Sequence, residues 1–155
     1  MGIKSFFAAR KTKKKTTGDI PVQVRDYMST KLITFKVDQR IEEVIDALIK
    51  HKISGGPVVN EKNELVGVIS EGDCIKHISE SRYYNMPMEN NTIEKHIARN
   101  VDTIDGDMNI FDAANKFLES KHRRFPIVEN GKLVGLISQK DILKAALALS
   151  GHSWK

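Results

Sequence analysis

Two consecutive stretches of this sequence follow the same pattern of residues. Thr34 in the first stretch corresponds to Thr103 in the second, at an offset of 69 residues, and this offset recurs at other positions. Near the end of the pattern Gly67 corresponds to Gly135, an offset of 68, so the second stretch has lost one residue between its last two strands. An offset this steady across several elements indicates a duplicated structural unit.

Each copy of the pattern predicts the element order β-α-β-β-α, preceded by a short lead-in helix. Apolar residues recur at helical spacing on one face in both copies: Ile41, Val44, Ile45, Leu48 and Ile49 in the first, and Ile110, Ala113, Ala114, Phe117 and Leu118 in the second. Two short apolar strands follow, and the Asn130-Gly131 pair between the strands of the second copy is a strong hairpin signal. The last helix is predicted to begin at Ser70 in the first copy and at Ser138 in the second.

The size of each copy constrains how the chain folds. One unit of roughly 60 residues buries too little apolar surface to be comfortably stable alone. We therefore predict an α/β (α+β) fold in which two tandem β-α-β-β-α repeats pack face to face with pseudo-twofold symmetry. The predicted repeats are residues 20–80 and 93–150, joined by a linker at 81–92 and flanked by a leader at 1–19 and a tail at 151–155.

The excess positive charge of the chain lies in its first 20 residues. They carry six basic residues and one acidic residue, so their charge of +5 (6 − 1) equals the net charge of the whole chain. The other residues hold 19 charges of each sign (25 − 6 basic, 20 − 1 acidic), so an anion site among them must be local. We expect residues 1–19 to be a flexible leader, with a membrane-surface helix or a nucleic-acid contact as the alternatives.

No catalytic or metal-binding motif stands out in the sequence. It contains no glycine-rich phosphate loop and no histidine or cysteine pair at metal-ligand spacing. The single cysteine, Cys74, is expected to be a small buried hydrophobe, and no apolar run is long enough to span a membrane. The five scattered histidines are expected at the surface: His51, His77, His96, His122 and His152. We predict a cytoplasmic protein that is not an enzyme and holds no catalytic cofactor.

A serine and an aspartate recur where a strand is predicted to run into the last helix of each copy. Ser70 with Asp73, and Ser138 with Asp141, occupy the first turn of that helix. A helix start presents unpaired N–H groups that suit a phosphate, and a carboxylate one turn further can accept both hydroxyls of a ribose. The alternative is that each serine caps its helix and each aspartate completes a capping box.

Three features of the repeat resemble a tandem pair of CBS domains, or Bateman module, over about residues 20–149. They are the repeated Gly-hydrophobic-Ile-Ser-x-x-Asp motif, the Pro-Val-Val or Pro-Ile-Val strand before it, and the upstream threonine. The resemblance implies a regulatory adenosine-containing ligand such as AMP, ADP, ATP, S-adenosylmethionine or a cyclic dinucleotide. It also implies two clefts, each of which takes its serine and aspartate from one copy and its threonine from the other. Cleft one would combine Ser70, Asp73 and Thr103, and cleft two would combine Ser138, Asp141 and Thr34.

The two clefts are expected to differ in charge. Arg124 and Arg123 of the second copy correspond to Gly55 and Ser54 of the first. An arginine beside a helix N-terminus can pair with a phosphate through its planar guanidinium, and the resemblance implies this role for Arg124. The alternative for both arginines is a solvated strand end. Cleft two is therefore expected to bind a charged nucleotide more tightly, and cleft one, opened by the glycine pair at 55–56, is expected to be empty or to take a ligand with less phosphate.

The remaining predicted site residues surround the adenine ring. We expect them to be Ile53 or His122 on one side and Val68 or Leu136 on the other, with the strand prolines Pro57 and Pro126 completing the set. The resulting hypothesis is a nucleotide sensor that forms a homodimer and acts on an unidentified regulated protein. The alternative is a protein–protein adaptor whose clefts are vestigial and whose basic tail tethers it to membrane or nucleic acid.

Overall fold

The computed structural model of the chain describes residues 22–83 and 91–150, with the Tyr83 side chain excepted. The predicted leader at 1–19, the predicted tail at 151–155 and most of the predicted linker lie outside the described residues. Among the described residues, no helix is long and apolar enough to cross a membrane.

The described residues form four α-helices and four β-strands, which each copy of the sequence pattern supplies in the same order. In the first copy they are α1 (Ile41–His51), β1 (Gly55–Val59), β2 (Leu65–Ser70) and α2 (Glu71–Tyr83). In the second copy they are α3 (Ile110–Ser120), β3 (Arg124–Glu129), β4 (Lys132–Ser138) and α4 (Gln139–Ser150). A single 3-10 turn precedes each copy, at Val24–Asp26 and at Ile93–Lys95. The mixed α/β class predicted from the sequence is confirmed.

The predicted first strand of each copy is reduced to one residue. Phe35 forms an isolated parallel bridge to Val58, donating its N–H to the Pro57 carbonyl at 2.9 Å and accepting from the Val59 N–H at 2.8 Å. Ile104 of the second copy forms the corresponding parallel bridge. Each regular sheet therefore has two strands, with β1 antiparallel to β2.

Two compact units divide the chain differently from the repeats. Of the described residues, unit A contains 22–29, 104–127 and 136–150, and unit B contains 30–83, 91–103 and 128–135. The lead-in segment of the first repeat thus belongs with the helices of the second repeat, and the lead-in segment of the second repeat belongs with those of the first.

Hydrogen bonds at equivalent positions hold each exchanged lead-in segment in place. In unit A the Val24 N–H donates to the Met108 carbonyl at 2.8 Å, and Ser29 pairs with Leu136 through two bonds of 2.8 and 3.0 Å. In unit B the Ile93 N–H donates to the Gln39 carbonyl at 2.9 Å, and Ala98 pairs with Val68 through two bonds of 2.9 Å. The two lead-in segments are therefore exchanged in the same way, through hydrogen bonds at equivalent positions of the two copies.

Buried apolar residues form the core of each unit. Those of unit B come from α1, β1, β2, α2, the lead-in turn of the second repeat and the bridge residue before α1: Phe35, Ile41, Val44, Leu48, Val58, Ile69, Cys74 and Ile93. Those of unit A come from the equivalent elements and include Val24, Ile104, Ile110, Ala113, Phe117, Phe125, Ile127 and Ile137. The burial of Cys74 that was expected from the sequence is confirmed.

The predicted apolar face of α1 and α3 is only partly buried. Ile49 is 72% exposed and Leu118, its equivalent in the second repeat, is 78% exposed. The prediction that they belong to the buried face is wrong, because the packing surface covers a narrower arc of each helix than helical spacing suggested. Both exposed residues lie in the last turn of their helix.

The hairpin between β3 and β4 has the turn that its sequence predicts. Asn130 and Gly131 both have positive φ, 53° and 79°, as the two central residues of a type I′ turn require. Within unit B this hairpin lies beside the turn of the first repeat, where the Leu133 N–H donates to the Asn63 carbonyl at 3.0 Å and the Asn63 amide donates to the Leu133 carbonyl at 2.9 Å.

Candidate functional site

The predicted serine and aspartate form a capping box at the start of α2 and again at the start of α4. The Ser70 N–H and hydroxyl both donate to Asp73 Oδ2 at 2.9 Å, while the Asp73 N–H donates to Ser70 Oγ at 3.2 Å. In the second repeat the Ser138 N–H and hydroxyl donate to Asp141 Oδ2 at 2.8 and 3.0 Å, and the Asp141 N–H donates to Ser138 Oγ at 3.2 Å. The capping that the sequence left as an alternative is therefore present in both copies.

Most of the helix-start N–H groups are already hydrogen-bonded. The N–H of the first residue of α2, Glu71, donates to the Ser54 carbonyl at 2.9 Å, and the N–H of the first residue of α4, Gln139, donates to the Arg123 carbonyl at 3.2 Å. The third residue of each helix is bonded within the capping box. The expectation of unpaired N–H groups is therefore wrong for the first and third residues of each helix, because the preceding chain and the serine supply acceptors.

The capping box still leaves a carboxylate oxygen at each site. Two of the three short contacts at each site end on Oδ2, and the third ends on the serine Oγ. Among the described residues no hydrogen bond is found for Oδ1 of Asp73 or of Asp141. All four capping residues are half-buried, so each carboxylate is partly accessible from the surface. A carboxylate held in this way can accept further hydrogen bonds without first changing its rotamer.

The segment before β3 places its basic residues beside the start of α4. The Gln139 amide donates to the His122 carbonyl at 3.2 Å, in addition to the backbone bond to Arg123. Arg123 and Arg124 are exposed, and the His122 ring lies edge-on to Phe125 with 5.1 Å between ring centroids. The structure thus brings Arg123, Arg124 and His122 together with Ser138 in unit A.

In the first repeat a glycine replaces Arg124 for a steric reason. A Cβ on Gly55 would lie 2.6 Å from the Ile69 carbonyl oxygen of the paired strand. A Cβ on the next residue, Gly56, would lie 3.0 Å from both the Ile33 carbonyl oxygen and the Phe35 ring. The glycine pair therefore allows a close approach of β1 to its neighbours, which is a packing role that the sequence had not indicated.

The other predicted site residues have clear structural positions. Ile53 packs against the core of unit B, and Pro57 and Pro126 are buried strand residues whose carbonyls accept from Phe35 and Ile104. Val68 and Leu136 are half-buried and each pairs with an exchanged lead-in segment. Thr34 and Thr103 are exposed and both belong to unit B, whereas Ser138 and Asp141 belong to unit A.

A surface pocket of about 180 Å³ in unit B contains one of the predicted threonines. Its lining residues are Leu65, Val66, Arg99, Val101, Thr103, Val128 and Gly131. Neither Ser70 nor Asp73 lines it. Arg99 is exposed and donates a long hydrogen bond of 3.4 Å to the Glu94 carbonyl. Arg99 was not among the residues predicted from the sequence, because the corresponding residue of the first copy, Thr30, is not basic.

Two of the histidines contradict the expectation of surface positions. His77 on α2 is 1% exposed and its ring lies 4.6 Å from that of half-buried His96, with a T-shaped arrangement. Burial, followed by the neighbouring His77, lowers the pKa of His96. His51 and His122 are exposed as expected, and His152 lies outside the described residues. Helical periodicity could have found His77, because it follows buried Cys74 by three residues.

Burial also affects the single cysteine, and no metal site accompanies it. Burial raises the pKa of the Cys74 thiol, and the nearby Asp73 and Glu71 carboxylates add to this effect. Among the described residues, no group of three or more His, Cys, Asp or Glu side chains is placed to hold a metal ion.

Comparison with known proteins accounts for the duplicated pattern. The CBS domain family matches residues 24–80 and 93–148. MJ1225 of Methanocaldococcus jannaschii is 31% identical over 131 residues, which are 84% of this chain, and the chain spans only 44% of that protein.

Two solved structures extend the comparison to the fold. The structure of CBSX2, an Arabidopsis thaliana protein, in complex with AMP has a TM-score of 0.72 and 26% identity, over 83% of this chain and 98% of that one. The CBS domain pair of MJ0100 in complex with 5′-methylthioadenosine and S-adenosyl-L-methionine has a TM-score of 0.66 and 28% identity, over 84% of this chain and 99% of that one. The duplicated β-α-β-β-α unit, its repeated capping boxes and these similarities show that the chain belongs to the CBS domain family as a tandem pair.

Proposed function

We propose that this chain is a regulatory module that binds an adenine nucleotide, such as AMP, ADP or ATP, or S-adenosylmethionine, and that it has no catalytic role of its own. The observation that carries the proposal is the Ser–Asp arrangement, repeated with the same geometry at the start of α2 and α4. Two solved relatives with this fold hold AMP, and 5′-methylthioadenosine with S-adenosyl-L-methionine, respectively.

The site in unit A suits a ligand that carries phosphate. Oδ1 of Asp141 would accept the two ribose hydroxyls, while the exposed guanidinium of Arg124 would pair with a phosphate. Lys140, exposed at the second residue of α4, adds a cation where the first repeat has Gly72. Base contacts would come from His122 and Leu136.

The site in unit B has fewer cations and would take a less charged ligand. Asp73 offers the same ribose acceptor, but the position of Arg124 is taken by Gly55, which has no room for a side chain. Arg99 lines the surface pocket together with Thr103, but Asp73 does not line that pocket, so Arg99 is not counted among the cations of this site.

Isothermal titration of the chain with AMP, ADP, ATP and S-adenosylmethionine tests the proposal, with Asp141→Ala and Asp73→Ala as matched variants. Each variant loses an equivalent capping box, so both should lose about 1 kcal/mol of stability. Only Asp141→Ala should weaken AMP binding by about tenfold or more, since hydrogen bonds to a charged group contribute roughly 1.5–3 kcal/mol each. Unchanged AMP affinity in Asp141→Ala would contradict the ribose contact.

A second candidate is a protein–protein adaptor with vestigial sites. The self-contained capping boxes favour it, because they satisfy the serines and one oxygen of each aspartate without a ligand. Exposed apolar residues on the helices also favour a protein partner, among them Ile75, Leu143 and Leu147. Under both candidate functions, a second copy of this chain is one such partner. Absence of binding by all four ligands would support the adaptor.

A further inference from the structure

The two adjacent histidines of unit B lie where the lead-in segment of the second repeat, residues 91–98, contacts α2. His77 is buried in α2 and its Nε2 lies 3.3 Å from Oγ of Ser81, which is also buried. His96 follows the lead-in turn, donating its N–H to the Ile93 carbonyl at 2.8 Å. Its Nε2 atom is buried and has no hydrogen-bond partner among the described residues. The lead-in segment and α2 therefore meet through two imidazole rings.

The charges that face this pair do not neutralise a proton on it. Asp73 and Glu80 of α2 favour protonation of His96, whereas Lys76 of the same helix and the His77 ring oppose it. Burial opposes it most, so the pKa of His96 is lowered. In its own segment His96 follows Glu94 and Lys95, which are both exposed and opposite in charge. The neutral ring is thus the form that fits this contact.

The lead-in segment connects the histidine pair to the site residues of unit B. Two residues after His96, Ala98 exchanges two hydrogen bonds of 2.9 Å with Val68 of β2. The chain then continues through Arg99 to Thr103, both of which line the surface pocket. On the other side of the contact, His77 lies one helical turn after Asp73. A change at the two rings can therefore reach the surface pocket through the lead-in segment, and Asp73 through α2.

We propose that the His77–His96 pair is a pH-dependent contact: with the His96 ring neutral it holds segment 91–98 on α2, and protonation of His96 weakens this contact and the adjoining site of unit B. Proton uptake acts on packing rather than on ligand atoms, so the effect does not depend on which nucleotide binds.

The direction of the pH dependence follows from the lowered pKa. In the unfolded chain His96 takes up its proton near its ordinary pKa of about 6.5, and in the folded chain it does so only at lower pH. The stabilising contribution is therefore complete above about pH 6.5 and is lost as the pH falls from there toward the folded-state pKa.

Thermal unfolding of the full chain at about pH 7.5 and about pH 5.5 tests the proposal. The variant is His96→Gln, which cannot titrate, and the control is His51→Gln at an exposed histidine of α1. When the pH is lowered from the first value to the second, the unfolding midpoints of the wild type and of His51→Gln should fall by about 3 °C more than that of His96→Gln. The same loss in all three proteins would overturn the proposal.

Two further measurements keep the test decisive. If His96→Gln does not fold, a nuclear magnetic resonance titration of the wild type replaces it. The proposal then requires the ring in contact with His77, that of His96, to titrate at a pH below the ordinary pKa of histidine, and titration at the ordinary pKa would refute it.

Adenosine, which has no phosphate, tests the effect on the site, and this test rests on the proposed function. The affinity for adenosine should fall about fivefold at the lower pH, which is the low end of ordinary coupling between sites. Failure of adenosine to bind at either pH would count against the proposed function, while the unfolding comparison would still decide the histidine proposal.

Discussion

Gly67 and Gly72 lie five positions apart, on either side of the β2–α2 junction, and the space around them differs. A Cβ on Gly67 would lie 2.5 Å from the carbonyl oxygen of Ala98, in the exchanged lead-in segment. A Cβ on Gly72, in the first turn of α2, would meet only Ser70 Oγ at 3.6 Å, an ordinary contact. The two glycines of one motif thus have different roles: the first permits the exchange and the second is not sterically required.

Alanine substitution should separate these roles. We expect Gly67→Ala to lower the free energy of unfolding by about 1–3 kcal/mol, because two hydrogen-bonded backbones must move apart. Gly72→Ala should raise it by up to about 1 kcal/mol, since alanine has the higher helix propensity. Chemical denaturation of both variants measures the difference, and equal effects would contradict the close approach at Gly67.

The serine and aspartate of each repeat show how far a candidate site can be predicted from residues alone. Their spacing was enough to offer the capping box as an alternative to ligand binding, because its partners are only three residues apart. The spacing could not show that the Glu71 and Gln139 N–H groups are occupied, because their acceptors precede β1 and β3. A role in ligand binding for either aspartate stays a prediction.

Helices α1 and α3 end in the same uncommon way. Each is followed by a lysine in the left-handed region, Lys52 at φ 55° and Lys121 at φ 64°. A side chain is disfavoured there, and glycine is the usual residue at such a position. The apolar positions predicted for α1 and α3 end at Ile49 and Leu118, three residues before these lysines, so the amphipathic pattern stops where the helices end.

Replacing the capping lysine with glycine should stabilise the chain. We expect Lys52→Gly to raise the free energy of unfolding by about 1 kcal/mol by removing the strain of the left-handed conformation. Lys50→Gly, two residues earlier and inside the helix, should lower it by about 1 kcal/mol. Urea denaturation of the pair supplies the measurement, and a loss of stability in both variants would refute the role of φ at residue 52.

The short first strands were the least predictable elements. Each copy was predicted to begin with a strand at Thr34 or Thr103, yet in these segments only the following residues, Phe35 and Ile104, form a bridge. The extent of a strand depends on its partner, and β1 and β3 offer these segments a single parallel pairing position. The local sequence of these segments does not show how many pairing positions the neighbouring strand offers.

Over the whole molecule, several large apolar side chains of the helices face solvent. On α4 of unit A, Leu143 is 67% exposed and Leu147 is 72% exposed, four residues apart and so on one face of the helix. On α2 of unit B, Ile75 is 64% exposed. Exposed apolar groups at helical spacing are typical of an interface, and a second copy of this chain is the partner that we propose.

Charge introduced at the α4 face tests that assembly. The wild type should sediment as a dimer. The double variant Leu143→Glu/Leu147→Glu should shift toward monomer, since two carboxylates would be desolvated in the interface. Lys62→Glu, which adds the same kind of charge at the exposed turn of the first repeat, should leave the dimer intact. Analytical ultracentrifugation of the three proteins decides it, and a monomeric wild type would exclude the dimer.

The amino-acid sequence alone shows the duplicated unit, through the steady offset between its two copies. It also predicts the amphipathic helices and the Asn130-Gly131 turn and allows the capping boxes, because each of these depends on residues that are near neighbours in the chain. The tertiary structure alone decided that the lead-in segments exchange, with Val24 placed on the second repeat and Ile93 on the first. It also decided the exposure of Ile49 and Leu118. The physical reason is that burial depends on which distant segment covers a surface, and periodicity within a helix does not contain that information.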